Sequence, residues 1–386
     1  MTAYDFFSDE TRDNPFPMFD RLRENDPLYE TNFGYWYVTR YDDVVTLLRD
    51  TRLTSGRGVP DSLGVTEDPL RGIMDAWMMA LDGEAHSRTR RMISRAFTPR
   101  SVEGMRPMVT ALAERLVGAL LERGGGDIID HLAFPLPMDV TRVLFGVDSA
   151  TWDAEVVALF DPARLAAGGG FVQSMEVLTA FLADFIPNRK AAAGADLFTA
   201  LSSPDENGDR LSDHEQVANA VLLLTAGFET TMSLIALTVR DLLLHPDQLE
   251  LLRADWALTR NAVEEVLRYD PPALFTSRFA TVDIEVAGGT IPAGSNVLFS
   301  SLAANRDPAR YPDPDRFDIR RPDIRPVTFG GGVHNCIGAA LARLEAEVAI
   351  ATLFQAAPDL RLTTDDVVWQ ADNPSVRRPV RLEVST

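Results

Sequence analysis

Apolar residues recur at helical spacing through most of the chain, and only in two regions does the pattern shorten to that of strands. The longest periodic segment runs from Asp213 to about Leu244. Ser212 with Glu215 three residues later supplies a capping-box start, and His245-Pro246 supplies the stop. At 1.5 Å per residue this helix would extend roughly 48 Å, enough to cross the whole molecule. Asn219, Glu229 and Arg240 interrupt its apolar run, so it is expected as a buried central helix and not as a membrane span. A second apolar, helix-compatible run covers Ile337 to Leu353.

Strand signals are fewer. Leu28 to Thr31 and Tyr35 to Thr39 flank an Asn-Phe-Gly turn and read as a hairpin. A second pair is expected at Asp283 to Val286 and Asn296 to Ser300, separated by Gly288-Gly289 and Pro292-Ala293-Gly294. Asn305 to Pro326 is rich in Pro, Asp and Arg and reads as an ordered, irregular meander. The pattern predicts a mainly α fold with a smaller β region, residues 1–386 forming a single domain.

Composition narrows the setting. The 386 residues are 46% apolar, which provides ample core. One cysteine excludes a disulfide framework and fits a reducing compartment. The first ten residues lack the basic flank and apolar centre of a signal peptide or anchor, so a soluble, cytoplasmic protein without a membrane partner is expected. A formal charge of −20 argues against nucleic acid as a partner. Against that acidic background, Arg88, Arg90, Arg91, Arg95, Arg100 and Arg106 face the single acid Glu103, a local basic patch that could equally be a solvated helix face.

The lone Cys336 lies in Phe329-Gly-Gly-Gly-Val-His-Asn-Cys-Ile-Gly338, where successive glycines permit a tight turn and close approach to a flat ligand. The helix-compatible run that follows would place a thiolate at a helix N-terminus, where partial positive charge favours an anion. A lone cysteine is most often a small buried hydrophobe. A zinc site needs about four ligands and finds no second cysteine. His334, two positions away, is awkwardly placed as the base of a cysteine nucleophile. A single axial thiolate to a haem iron remains.

With the pattern F-x-x-G-x-x-x-C-x-G met at Phe329, Gly332, Cys336 and Gly338, the chain resembles the cytochrome P450 monooxygenases of the soluble bacterial, class I type. The resemblance extends from about Asn14 to the C-terminus. It implies haem b held between the long central helix and the cysteine-loop helix, with Cys336 as the metal ligand. Ala226-Gly-Phe-Glu-Thr-Thr231 resembles the family's oxygen-activation motif, which implies that Thr230 holds a proton near the reacting oxygen and Glu229 relays protons from solvent, with Thr231 in support. Gly227 would make room there, and a threonine hydroxyl bonded to the carbonyl one turn earlier would open the helix locally. Read without the resemblance, the same residues would be a hydrogen-bonded polar cluster in the core.

Glu265 and Arg268 match the family's E-x-x-R helix, halted by Pro271-Pro272, and are expected to pin the meander through a further arginine, Arg316 or alternatively Arg320. Propionate ligands are implied at His86 and Arg90, one helix face apart by four residues, and at Arg278 and His334. Position in the family places Trp77, Met78, Met79, Leu222, Thr225, Ala226, Leu274, Thr276 and Val376 around the substrate, although ordinary core packing would also explain them. Arg88, Arg91, Arg95 and Arg343 are implied as the docking surface for an acidic ferredoxin.

The expected activity is therefore hydroxylation or epoxidation of an apolar organic substrate, a secondary metabolite such as a polyketide or macrolide. Dioxygen would be the oxidant, a ferredoxin and ferredoxin reductase the electron source, and a monomer the working form. No fused reductase is expected in the roughly fifty residues after Cys336, and no nucleotide-binding glycine motif occurs. His214-Glu215 fails to complete a zinc-protease motif because position 218 is Ala. A peroxide-driven peroxygenase would not need the Glu229-Thr230 pair, and a catalytically silent helper would not need Cys336.

Overall fold

The computed structural model describes the chain apart from residues 1–3, 7, 56–67, 161–170, 189–196, 205–207, 365–366, 372 and 374. Two compact units emerge: residues 1–54, 106–136 and 230–386 form one, and residues 55–105 and 137–229 the other. All the described strands belong to the first. They are β1 (Leu28–Glu30), β2 (Tyr35–Val38), β3 (Leu53–Thr54), β4 (Gly125–Asp127), β5 (Phe275–Ala280), β6 (Ile284–Val286), β7 (Gly289–Ile291), β8 (Asn296–Ser300), β9 (Arg361–Leu362) and β10 (Glu383–Ser385).

The main sheet has the order β1-β2-β8-β5-β3. β1 and β2 form the expected antiparallel hairpin, with Leu28 opposite Val38, and β2 then runs parallel to β8. The second expected pair is not a pair. β6 closes a hairpin with β7, while β8 lies between β2 and β5. Gly288 and Gly289 have φ of 108° and 153°, so the chain reverses at once and leaves Asn296–Ser300 for the larger sheet. Four of the five β8 residues are buried, which is why this strand shows no alternation in the sequence. Val38, Val297, Phe299 and Tyr311 lie in the core cluster formed on this sheet.

A buried ionic knot ties the N- and C-terminal segments of this unit together. Arg377 bonds Asp270 at 2.7 Å and the Arg12 carbonyl at 2.8 Å, and its guanidinium stacks 3.5 Å from the Trp369 ring centroid. Asp241 lies in the same knot, its pKa pushed up to about 7 by burial first and by the Asp270 charge second.

Among its described residues the second unit holds helices joined by turns, and no strand. Helix Gly83–Ser94 buries Met92 and Ile93 on one side. Its arginines reach the segment that leads into the long helix: Arg88 bonds Glu215 and the Arg210 carbonyl, Arg91 bonds Asp209, and Arg95 bonds the Pro204 carbonyl. Three of the six arginines read from the sequence as a basic patch thus find partners within this unit.

The long helix is Asp213–Leu244, and within it the chain passes from the second unit into the first between Glu229 and Thr230. Its capping box is formed, with the Ser212 N–H donating to Glu215 Oε2 at 2.8 Å and the Glu215 N–H donating to Ser212 Oγ at 3.2 Å. Among the described residues this helix alone is long and apolar enough to cross a membrane, and 67% of its apolar window is buried inside the protein, as in a core helix.

Candidate active site

In the first unit the cysteine loop is built by two constraints. The Cys336 N–H donates to the Phe329 carbonyl at 2.9 Å, which closes the loop on itself. Gly332 has φ of 65°, and a Cβ there would lie 2.4 Å from the Leu48 carbonyl oxygen, so only glycine allows the loop to press against the end of helix Tyr41–Leu47. Cys336 emerges exposed, two residues before the Gly338 cap of helix Ala339–Ala356. The expected position ahead of a helix N-terminus is observed.

The meander that delivers this loop is anchored by helix Thr259–Tyr269. Glu265 and Arg268 are fully buried and pair bidentately, both bonds 2.8 Å. Arg268 also donates to the Asn305, Pro314 and Arg316 carbonyls, and the Asp318 N–H donates to Glu265 Oε1. The third arginine is neither Arg316 nor Arg320. Arg321 fills that place, with Nε 3.2 Å from Glu265 Oε1 and the other guanidinium nitrogens on the Pro312, Asp313 and Arg316 carbonyls. The Arg316 side chain is 66% exposed and lies 3.8 Å from Asp318, contributing only its carbonyl to the cluster. The turn ending at Arg321, closed by its N–H bond to the Asp318 carbonyl, determines which side chain points inward.

Arg343 needs a similar correction as a docking cation. Its guanidinium pairs with Glu264 and stacks 4.4 Å from the Phe329 ring centroid, so it steadies the cysteine loop. Its charge is neutralised in place.

Other predicted residues in this unit fall on β5, the 3-10 turn of the cysteine loop, the segments around the Ala273–Val376 bridge and the long helix. Arg278 is 7% exposed on β5, with Nη1 2.7 Å from the Ser277 carbonyl. His334 ends the 3-10 turn Gly332–His334 and is half-buried. Leu274 and Val376 lie beside the bridge between Ala273 and Val376 and the Leu274 N–H bond to the Ser375 carbonyl at 2.9 Å, and Thr276 follows on β5, opposite Phe299. Thr230 is half-buried and Thr231 is buried.

In the second unit His86 is buried and Arg90 half-buried, both on helix Gly83–Ser94. Trp77 and Met78 are buried at the start of the 3-10 turn Met78–Ala80, whereas Met79 is 40% exposed. On the long helix Leu222 is buried, Thr225 half-buried, and Ala226 and Gly227 are exposed although the helix around them is mostly buried. A Cβ added at Gly227 would meet nothing within 4 Å. Glu229 is half-buried one turn beyond Thr225. The Thr225 hydroxyl donates to the Val221 carbonyl at 2.9 Å, and the helix continues from Asp213 to Leu244. Phe228 packs edge-on against Phe160, which anchors the opposite side of this stretch.

Three features escaped the sequence reading. Arg321 was hidden beside Arg320. Asn219, noted only as an interruption of the apolar run, is fully buried and bonds the backbone of Ala76 and Met78. Glu345 is buried on helix Ala339–Ala356, and its Oε2 has no hydrogen-bond partner.

The donor set suits haem better than a bare ion. Among the described residues no group of three or more His, Cys, Asp or Glu could hold a metal ion. A single exposed thiol on a glycine turn can supply one axial ligand, which requires that a macrocycle supply the rest.

Comparison with known proteins agrees with this chemistry. Residues 175–358 match the family described as Cytochrome P450. The chain is 39% identical to 6-deoxyerythronolide B hydroxylase of Saccharopolyspora erythraea, over 96% of this chain and 95% of that one. It is 38% identical to cytochrome P450 monooxygenase PikC of Streptomyces venezuelae, over 94% and 89%. Its fold matches the Bacillus subtilis bacillaene polyketide synthase cytochrome P450 PksS with a TM-score of 0.89 at 31% identity, over 99% of each chain. Its cysteine loop, its buried Glu-Arg pair and these relatives together establish that the chain belongs to the cytochrome P450 family of monooxygenases.

Proposed function

We propose that this chain, working as one catalytic domain, hydroxylates or epoxidises an apolar secondary metabolite of the macrolide or polyketide type. The observation that carries the reading is Cys336, an exposed thiol on a glycine turn ahead of a helix. A relative named for hydroxylating 6-deoxyerythronolide B supports the macrolide class, and the likeness to PksS supports the polyketide class.

Haem b, bound through Cys336, supplies the reductive activation of dioxygen and the transfer of one oxygen atom. The remaining work falls to side chains of this chain. Cys336 Sγ binds as a thiolate, with Gly338 allowing close approach. His86, Arg90, Arg278 and His334 hold the two propionate carboxylates through charge-assisted hydrogen bonds. Thr230 Oγ1 holds a proton at the reacting oxygen, and the Glu229 carboxylate moves protons to it from solvent. Support for this reading comes from Ala226 and Gly227, which are exposed on an otherwise mostly buried helix, with nothing within 4 Å of a Cβ at Gly227. Trp77, Met78, Met79, Leu222, Thr225, Leu274, Thr276 and Val376 exclude water and orient an apolar substrate.

Electrons come from a ferredoxin and its reductase, in a cytoplasmic setting. Arg91 on helix Gly83–Ser94 and Arg95 at its C-cap are exposed and favour an acidic partner, even though Arg91 pairs with Asp209 and Arg95 bonds the Pro204 carbonyl. Arg88 and Arg343 contribute less because they are more buried beside Glu215 and Glu264.

A spin-state titration tests the substrate class. Adding 6-deoxyerythronolide B to the ferric holoenzyme is expected to shift the Soret band towards the high-spin form with micromolar affinity. A panel in which fatty acids and terpenes give that shift while macrolactones and polyketides give none would refute it.

A further inference from the structure

We infer that Asn219 is a positioning residue for substrate binding, because its side-chain amide fixes the backbone of the turn that carries Trp77, Met78 and Met79. The inference rests on the reading above that this turn faces the substrate. Asn219 is fully buried, and three bonds use its amide. Its Oδ1 accepts the Met78 N–H at 2.8 Å. Its Nδ2 donates to the Ala76 carbonyl at 3.1 Å and to the Glu215 carbonyl one turn earlier at 2.8 Å.

The two bonds across to the turn meet different needs. Helix Asp68–Asp75 has just ended, and Ala76 presents a carbonyl of the kind that helix ends leave without a helical partner. The 3-10 turn Met78–Ala80 is about to begin, and its first N–H has no preceding turn to donate to. Neighbouring amides are satisfied locally: Trp77 donates to Met74, Ala80 to Trp77 and Leu81 to Met78. Met78 instead donates to Asn219. A single amide offers a donor and an acceptor side by side, matching the carbonyl of one residue and the N–H two residues on. Leucine offers neither and a carboxylate lacks the donor.

Residue choice supports the same conclusion. Asparagine is a poor helix former, and a buried amide is costly unless bonded, so an apolar residue would suit this helical position better if packing were its only role. A second tie lies five residues earlier, where His214 Nε2 is 3.2 Å from the Gly72 carbonyl, but that ring is exposed and water competes for it. The buried Asn219 bonds are therefore the ones that set where Trp77, Met78 and Met79 stand.

Amide hydrogen exchange and azole binding test this together in the holoenzyme. In Asn219→Leu the Met78 amide is expected to exchange about tenfold faster, the loss of one buried hydrogen bond, while the Val221 to Leu224 amides keep their protection. Affinity for 4-phenylimidazole, read from its nitrogen-ligation spectrum, should fall about fivefold with the thiolate-type carbonyl spectrum intact. Leu224→Ala, which empties a buried position of the same helix without removing a hydrogen bond to the turn, should leave both readouts at wild-type values. Asn219→Ser carries the same comparison if the leucine variant does not fold. Unchanged Met78 exchange, or an equal effect in Leu224→Ala, overturns the inference. Faster Met78 exchange with unchanged azole affinity also overturns it, and locates the failure in the pocket reading of this turn and not in the clamp. Loss of the thiolate-type spectrum already in the wild type would instead remove the haem reading beneath both.

Discussion

Glu345→Gln should make the protein more stable at neutral and alkaline pH, by an amount that grows with pH. Glu345 lies on the helix that follows Cys336, 4% exposed, with Oε2 buried and unbonded. Burial alone pushes its pKa up from 4.5 to about 8. In the folded protein the carboxyl is therefore still protonated at pH values where the unfolded chain has released its proton. The stability linked to that proton is complete below the unfolded value of 4.5 and is lost progressively as pH rises through the folded value near 8. Each pH unit inside this window costs about 1.4 kcal/mol. Between about pH 6 and pH 8, allowing for titration of the folded group near the upper end, the wild type should lose about 2 kcal/mol that glutamine does not lose. Urea unfolding of both holoproteins by far-ultraviolet circular dichroism, across that range, gives the difference directly. Every other independently titrating group cancels in the comparison. A stability difference that stays flat from pH 6 to pH 8 would show that the carboxylate is ionised in the fold, and would refute the reasoning.

Further expectations follow from the anchoring cluster, the cysteine loop and the docking cations. Arg321→Ala should cost about 3 kcal/mol, because it leaves part of a buried charge cluster uncompensated, whereas Arg316→Ala should stay within about 0.5 kcal/mol. Denaturant midpoints of the two variants decide this, and equal effects would restore Arg316 to the cluster. Gly332→Ala places a Cβ 2.4 Å from the Leu48 oxygen at positive φ, so the purified protein should carry markedly less haem per chain. Normal haem content in that variant would mean that the loop has room. Arg91→Glu should slow stopped-flow reduction of the iron by an acidic ferredoxin about tenfold at low salt and much less at high salt, with Arg343→Glu acting mainly through haem retention. If Arg91→Glu were reduced at the wild-type rate at every salt concentration, the partner would dock elsewhere.

Much of this architecture could be read before any coordinates, and the reasons differ from element to element. The long helix was legible because its capping box and its His245-Pro246 stop are local signals that survive in any context. The first hairpin was legible for the same reason. β8 was recognised as a strand but assigned the wrong partner, since a strand buried on nearly every position has no alternation to indicate which neighbour it faces. Glu265 and Arg268 were legible from the resemblance to the E-x-x-R helix and the Pro271-Pro272 stop, but the third arginine, expected at Arg316 or Arg320 and found at Arg321, depends on a turn that no periodicity describes. Arg343 and Arg88 looked like free cations because their partners, Glu264 and Glu215, lie 79 and 127 residues away in sequence. Asn219 carried a visible signal, a polar residue in an apolar helical run, without any indication of what it holds.

The central claim is that the single cysteine is the haem ligand. The ferrous-carbonyl difference spectrum of the purified protein, compared with that of Cys336→Ala and Cys336→His, tests it most directly. The wild type should show the strongly red-shifted Soret band of a thiolate-ligated carbonyl haem, and both variants should lose it. A wild type without that band, or a Cys336→Ala protein that retains it, would contradict the account.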